Sequence, residues 1–526
     1  MTKKYYKFRK GAAILEHNNQ YSNGVFLSVE TKGEEVVEVS KDFILPDSYA
    51  DIKRVLGVYS KCSPDSVYAD SGRVKYLIKT ESKMLFLSDE GKIRCATFKN
   101  DLEGAMQYEK SGFENAFFMP SVISSSARAQ NPRKVSIRML VRPSVYVFSP
   151  YTADIEYKGD EIGEEERASL EILSEEISGF SALEFSSGDI ESGDDISIPG
   201  ALPQIEDIVL CTANITDCKS SANDGAVSVN AVVDITLLYV GKEDNALHTV
   251  RHSLPINEKY DAEDLLSDDI LYTYGYVSRL SVSPSDDMSG EARVAEVDLV
   301  FSLSTLAVRE KTLDITSDAY SVGSPTSCEK KTLKYLTCPI IVDEVITLSE
   351  SLEKDDIERV SAAIVSPIEC VCKDGEVKGT ATVTLYGYDK DGRAHSSSKE
   401  LSYHKTLPSS ITSSLVNARV SEIKVTEGEG VYNVECNLAI SGVAWEYKNT
   451  SAISAVVFEG EEDVSRDRAA FTICYPDKGE GMWEIGKRYR VPVDSLKCVN
   501  SVTREGVPRR AVIVPTGTKA IFSKIF

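Results

Sequence analysis

The chain has 526 residues, 42% of them hydrophobic and 27% charged, which is too long for one core and suits three or four domains of ordinary globular composition. Its net charge of -23, from 82 acidic and 59 basic side chains, repels phosphate and excludes a general nucleic-acid binder. No stretch of about 18 apolar residues suggests a membrane-spanning helix, and eleven scattered cysteines without a C-x-x-C pair argue against a disulfide framework or a zinc site.

Residues 1–34 are read as a basic arm and a first strand. Lys3, Lys4, Lys7, Arg9 and Lys10 stand without an acid among the first ten residues. Glu16, His17, Asn18 and Asn19 then interrupt any apolar run, so no signal peptide is expected and the protein is expected to stay in the cytoplasm.

Three stretches follow one plan: 35–155, 196–312 and 313–450. Each opens with a short step, Asp51-Ile52 to Val55, Gln204-Ile205 to Ile208, and Asp356-Ile357 to Val360, whose isoleucines lie 153 and 152 residues apart. A glycine turn comes 20, 20 and 18 residues later, at Gly72, Gly225 and Gly375, where a residue without Cβ suits a tight hairpin. A strand then leads to Phe86, Tyr239 and Tyr386.

Each stretch closes on a strand of period-two alternation: Val135, Ile137, Met139, Val141; Val297, Leu299, Phe301, Leu303; and Tyr432, Val434, Cys436, Leu438, Ile440. Between the first two stretches, residues 156–195 carry 14 acids against two bases and are read as an acidic linker with a helix from about Glu164 to Ile177. A second helix is expected from Asp261 to Tyr272.

The opening Asp42-Phe43-Ile44-Leu45-Pro46-Asp47, the following Asp51 to Leu56, and Asn131-Pro132-Arg133-Lys134-Val135 before the closing strand resemble the SPOCS domain of the SipL family of spore-forming Firmicutes. Leu202-Pro203 and Leu238-Tyr239 carry the likeness into the second stretch, while the third lacks the Leu-Pro step. The resemblance implies a structural protein that attaches coat or envelope material around a developing forespore, from the mother-cell side, through a spore coat or envelope morphogenetic protein.

In 468–526, Phe471 to Tyr475 reads as a strand, Gly479 to Tyr489 as a turn entering a helix, Val493 to Leu496 as a second helix, and Ala511 to Pro515 as a closing strand. This βααβ order resembles a LysM module. The family's sugar-binding loops would fall at Gly479, Glu480, Gly481 and Met482 and near Asn500. The usual threonine is replaced by Gly481, which removes a hydroxyl, so a protein partner is favoured and glycan binding stands as the alternative. Lys487, Arg488, Arg490, Arg509 and Arg510 make a candidate basic contact patch.

Motifs of chemistry fail on inspection. Gly481 to Lys487 has P-loop spacing, but Arg488 replaces the magnesium-binding Ser or Thr. The calcium-like start at Asp389 and Asp391 has Ala394 where the loop needs glycine. His248 and His252 sit in a strand and lack a neighbouring glutamate. The expectation is a non-enzymatic, cofactor-free protein that can form oligomers, mainly β, with three tandem antiparallel β-sandwich or open-barrel domains and a small α+β C-terminal domain.

Overall fold

The computed structural model describes residues 27–32, 35–70, 72–107, 115–150, 155–158, 169–322, 324–354, 357–408, 411, 413–459, 470–500 and 511–516. The basic residues of the first ten positions, Asp356, Arg509 and Arg510 lie outside them. The chain is mostly strand, in several small antiparallel sheets, with a small α+β region at the C-terminal end.

One pairing scheme recurs at three places. In the first, β3 (Ile52–Asp70), β4 (Arg73–Ser88) and β5 (Ile93–Gln107) form one sheet. Opposite it, β7 (Lys134–Pro150) runs between β2 (Val37–Ile44) and β6 (Asn115–Asn131), with β1 (Leu27–Lys32) also on β7. In the second, β10 (Ile205–Asn223), β11 (Ala226–Gly241) and β12 (Leu247–Asp261) face β9 (Leu170–Ser197), β14 (Val294–Ser321) and β13 (Ile270–Ser285), with β14 central. In the third, β16 (Arg359–Lys373), β17 (Glu376–Tyr388) and β18 (Ala394–Thr406) face β15 (Thr326–Glu353), β20 (Val431–Phe458) and β19 (Ser413–Glu427), with β20 central. A short β8 (Glu156–Lys158) lies parallel to the end of β20.

The alternating stripes explain the arrangement. Val135, Val297 and Val434 all lie on the central strand of a sheet, and their stripes are buried; the intervening side chains turn outward or to partial exposure in the first and third, while in the second Val300 and Ser302 are buried as well. Gly72, Gly225 and Gly375 all adopt positive φ, from +76° to +82°, in the hairpins that join the first two strands of each set.

The opening isoleucines Ile52, Ile205 and Ile357 are buried at 6%, 4% and 4% exposure. The Ile52 amide donates to Pro132 O and the Ile205 amide to Ala292 O, both at 2.8 Å, so each ties the start of one sheet to the start of the closing strand. Ile52→Ala and Ile205→Ala should each lower the urea midpoint of the full chain by an amount equivalent to about 2–5 kcal/mol. Unchanged melting curves would show that these side chains do not hold the core.

The Leu-Pro steps have the same architectural meaning. Arg133 donates to Leu45 O and Pro46 O and pairs with Asp51, while Arg293 donates to Leu202 O at 2.9 Å. Each arginine sits just before its closing strand and clamps the loop entering the first sheet.

Both expected helices are corrected. Within 164–177, the described part from Leu170 belongs to β9, a strand paired with β14 along its whole length; 164–168 lie outside the described residues. Apolar Leu170, Leu173 and Ile177 have helical spacing, but β14 offers a free ladder edge, and pairing with it outweighs a weak local period. The segment 261–272 is two turns leading into β13. Asp269 accepts from the Leu266 amide at 2.9 Å and Asp224 from the Ser267 amide at 3.0 Å, while Arg309 holds Asp269 at 2.6 Å. The acids that fix these turns are Asp269, near the end of the segment, and Asp224 in the neighbouring hairpin, which bind local amides and a cross-sheet arginine in place of a helix start.

The three sets close on one another cyclically. β3 packs on β13, β10 on β19 and β16 on β6; β5 packs on β10, β12 on β16 and β18 on β3. Two apolar clusters draw on all three sets, one around Leu85, Leu238 and Tyr386, the other around Phe117, Tyr274, Leu306 and Trp445. At the seams, Thr249 Oγ1 donates to Ser361 O at 3.1 Å and Ser396 Oγ to Leu56 O. Leu56 and Ser361 occupy matching register shifts in β3 and β16, and Thr249 and Ser396 matching positions opposite Leu238 and Tyr386; Cys95, opposite Leu85, takes the third such position.

Candidate partner-binding module at the C-terminus

The C-terminal region consists of β21 (Phe471–Cys474), α1 (Met482–Tyr489), α2 (Val493–Val499) and β22 (Val512–Pro515), with β21 and β22 antiparallel. α1 begins where Glu484 reaches back to the Gly481 amide at 2.8 Å. It ends with Lys487 and Arg488 in its last turn and Arg490 at φ 53°. Trp483, Ile485, Val493, Leu496, Val512 and Val514 bury its core.

That core is completed by another part of the chain. Tyr320, on the last turn of sequence in β14, packs edge-on against Trp483 with ring centroids 4.9 Å apart, and its hydroxyl donates to Val491 O at 2.7 Å. Asp318, two residues earlier, accepts from Trp483 Nε1 at 2.9 Å and from Lys487 Nζ at 2.6 and 2.8 Å. Gly486 leaves room for this contact, because a Cβ there would meet Tyr320 Oη. Burial alone would push the Asp318 carboxyl up, but the hydrogen bonds and charge of Lys487 and the Trp483 donor outweigh it and hold it below the usual carboxylate range.

The candidate loop residues are engaged within the module. Glu480 accepts from the Asp477 amide at 3.0 Å and pairs with Arg488, and Gly479 turns the chain at φ +90°. Gly481 precedes α1, and Met482 is buried. Asn500 donates to Leu496 O and Ile513 O and accepts from the Ile513 amide, at 2.7–2.8 Å, so it clips the end of α2 to β22. Of the basic patch, Lys487 and Arg488 lie in internal ion pairs, and Arg490 caps α1. Sequence reasoning missed Asp318 and Tyr320: they lie 165 and 163 residues before Trp483, and nothing local marks them.

A second polar site lies where the three sheet sets meet. A cavity of about 180 Å³ is walled by β3, β6, β10, β13, β16 and β19. Arg419 crosses it from β19 to donate to Ile215 O at 2.6 Å and Gly275 O at 2.8 Å, over the ring of Tyr274. Lys61 donates to Val277 O at 3.5 Å, and burial lowers its pKa against the pull of Glu81. Both cations therefore bind backbone of the second set from its neighbours, a pinning arrangement rather than a reactive one.

Among the described residues no group of three or more His, Cys, Asp or Glu could hold a metal. His248 and His252 pair instead with Asp244 and Asp194, at 2.9 and 2.7 Å. All eleven cysteines are free, and burial pushes the thiols of Cys62, Cys95 and Cys370 up to about 12, far from a nucleophile's range. Asp389 accepts from the Asp391 and Arg393 amides and closes a hairpin turn. No helix among the described residues is long and apolar enough to cross a membrane.

These features define a β-rich protein of several antiparallel sheets in which the polar groups described above serve architecture. Residues 204–285, the span from β10 through β13, match the family model described as SipL, SPOCS domain. No curated protein and no solved structure matches the chain.

Proposed function

We propose that the chain is an adaptor that attaches or organises spore coat or envelope assemblies through protein contacts, working from the mother-cell cytoplasm around the forespore. The observation that carries this reading is the SPOCS match at 204–285. The recurrence of its strand order on either side supports three SPOCS-like β-sandwich modules rather than one. On this reading β9 is the first strand of the second module, and the C-terminal βααβ region is a LysM-like module that has given up sugar for a protein partner. The engagement of Glu480, Met482 and Asn500 inside the module favours this over the glycan alternative.

The test uses the full chain as bait in extracts of sporulating cells, beside a titration with chito-oligosaccharides. The expected outcome is retention of a coat or envelope protein, weakening as salt is raised, with no heat of sugar binding. Micromolar binding of chito-oligosaccharide would establish the glycan reading in its place.

A further inference from the structure

The cavity of about 180 Å³ at the junction of the three sheet sets is ringed by matching positions of each. Lys61, Asn214 and Ser366, on β3, β10 and β16, all stand nine residues after the opening isoleucine of their set. Ser121, Tyr276 and Arg419 all stand one residue before Val122, Val277 and Val420, where β6, β13 and β19 shift register against their central strands. All six side chains are polar and two are cations, and no Asp or Glu is found among the described residues lining the cavity. In a chain of net charge -23, a polar ring that is cationic and free of acids is the opposite of what composition alone would place there. Asn214 is exposed, so the cavity is reached from solvent.

Neither cation has an acid of its own. Two carbonyls take two of the five N–H groups that a guanidinium carries, and among the described residues no carboxylate pairs with Arg419. Lys61 has Glu81 at 4.0 Å, but that carboxylate is shared with Lys83 at 3.7 Å and Lys99 at 3.6 Å, so one acid faces three ammonium groups. The contact of Lys61 with Val277 O, at 3.5 Å, is at the limit of a hydrogen bond and leaves its donors available. Asp234, which faces Asn214 across the ladder, is bound to Thr216 and Ser253 at 3.1 and 2.7 Å. Lys61 and Arg419 converge on one stretch of β13, where their acceptors, Val277 O and Gly275 O, lie two residues apart, roughly 7 Å. Like charges held so close repel, and backbone carbonyls return only partial charge. Charge-assisted bonds of about 2.8 Å from each cation span such a gap with one oxyanion between them.

We propose that this cavity binds a small doubly charged oxyanion, a phosphate group or a dicarboxylate, held between Arg419 and Lys61 with the Asn214 amide and the Ser121 and Ser366 hydroxyls around it. The ligand meets all three sheet sets at once, and so tightens the junction where the two cations already pin the second set to its neighbours.

Calorimetric titration of the full chain with inorganic phosphate, and separately with malonate, at constant ionic strength against chloride, tests this. The expected result is saturable binding of one anion per chain by at least one of the two probes, with a urea midpoint that rises as that probe is added. Which probe binds tells a phosphate group from a dicarboxylate, and either supports the site. Arg419→Gln should weaken binding about tenfold or more. Because Arg419 also pins two strands, Lys61→Met provides a milder test: it removes the second cation, keeps the apolar stem, and leaves Glu81 with Lys83 and Lys99. It should weaken binding to a similar degree, and it decides alone if Arg419→Gln does not fold. The absence of saturable heat from both probes overturns the proposal, and so does binding that a folded variant leaves unchanged, because the anion then sits elsewhere.

Discussion

Tyr386→Ala should cost the full chain about 3–5 kcal/mol, the range found for removing a large buried aromatic side chain. The phenol ring is buried in the cluster formed by Leu56, Leu85, Leu238 and Ala362, so its loss opens a cavity where all three sheet sets meet. Gly57 on β3 supplies a sharper test. A Cβ at Gly57 would stand 2.5 Å from Tyr386 Oη, so Gly57→Ala should also destabilise, through a clash at the seam between the first and third sets. In the double variant the added methyl finds the space the ring has vacated, and the combined cost should fall below the sum of the two. Urea midpoints of the four proteins give the answer; strictly additive costs would mean that Gly57 and Tyr386 do not share this contact.

Asp318→Ala should release the C-terminal module from β14. It leaves the Trp483 indole N–H and the Lys487 ammonium without their acceptor, for an expected loss of about 1–3 kcal/mol. Hydrogen exchange of 471–500 should rise while the sheets keep their protection, and Asp318→Asn should fall between the two because it keeps an acceptor and loses the charge. The pH dependence has a defined sign. The folded carboxyl titrates below its ordinary range, so its contribution is complete above the unfolded value of about 3.9 and is lost as pH falls through the lower folded value. Module protection should therefore be flat from neutral pH to about pH 4 and fail only in stronger acid. Failure already near pH 6 would assign docking to another group.

What the sequence makes legible is whatever depends on near neighbours. Tyr432 to Ile440 alternates because one face of one strand is buried, and the glycine turns follow from a backbone φ at a single residue. The βααβ order likewise rests on short local signals, with Trp483 and Leu496 as its core. The helix readings fail where partners are distant: Leu170 to Ile177 becomes a strand only because β14 lies beside it, more than a hundred residues later. The same distance hides Asp318 from Lys487 and Ser361 from Thr249. Asn500 reads in the sequence as a ligand group until its three bonds to Leu496 and Ile513 are seen.

The seam between β18 and β3 also governs the order in which this protein can be made. Arg54 meets Ala394 O, and Ser396 meets Leu56 O, across 340 residues of chain. A nascent chain emerging from the ribosome can complete its first sheet set early, yet the apolar surface around Leu56 and Leu85, shared with the second set, stays partly uncovered until residues near 400 have been synthesised. At about 5–20 residues per second this leaves the surface exposed for tens of seconds. Any chain ending before β18 leaves part of it bare permanently, so premature termination products of this protein should be substrates for chaperones and proteases rather than shorter working versions.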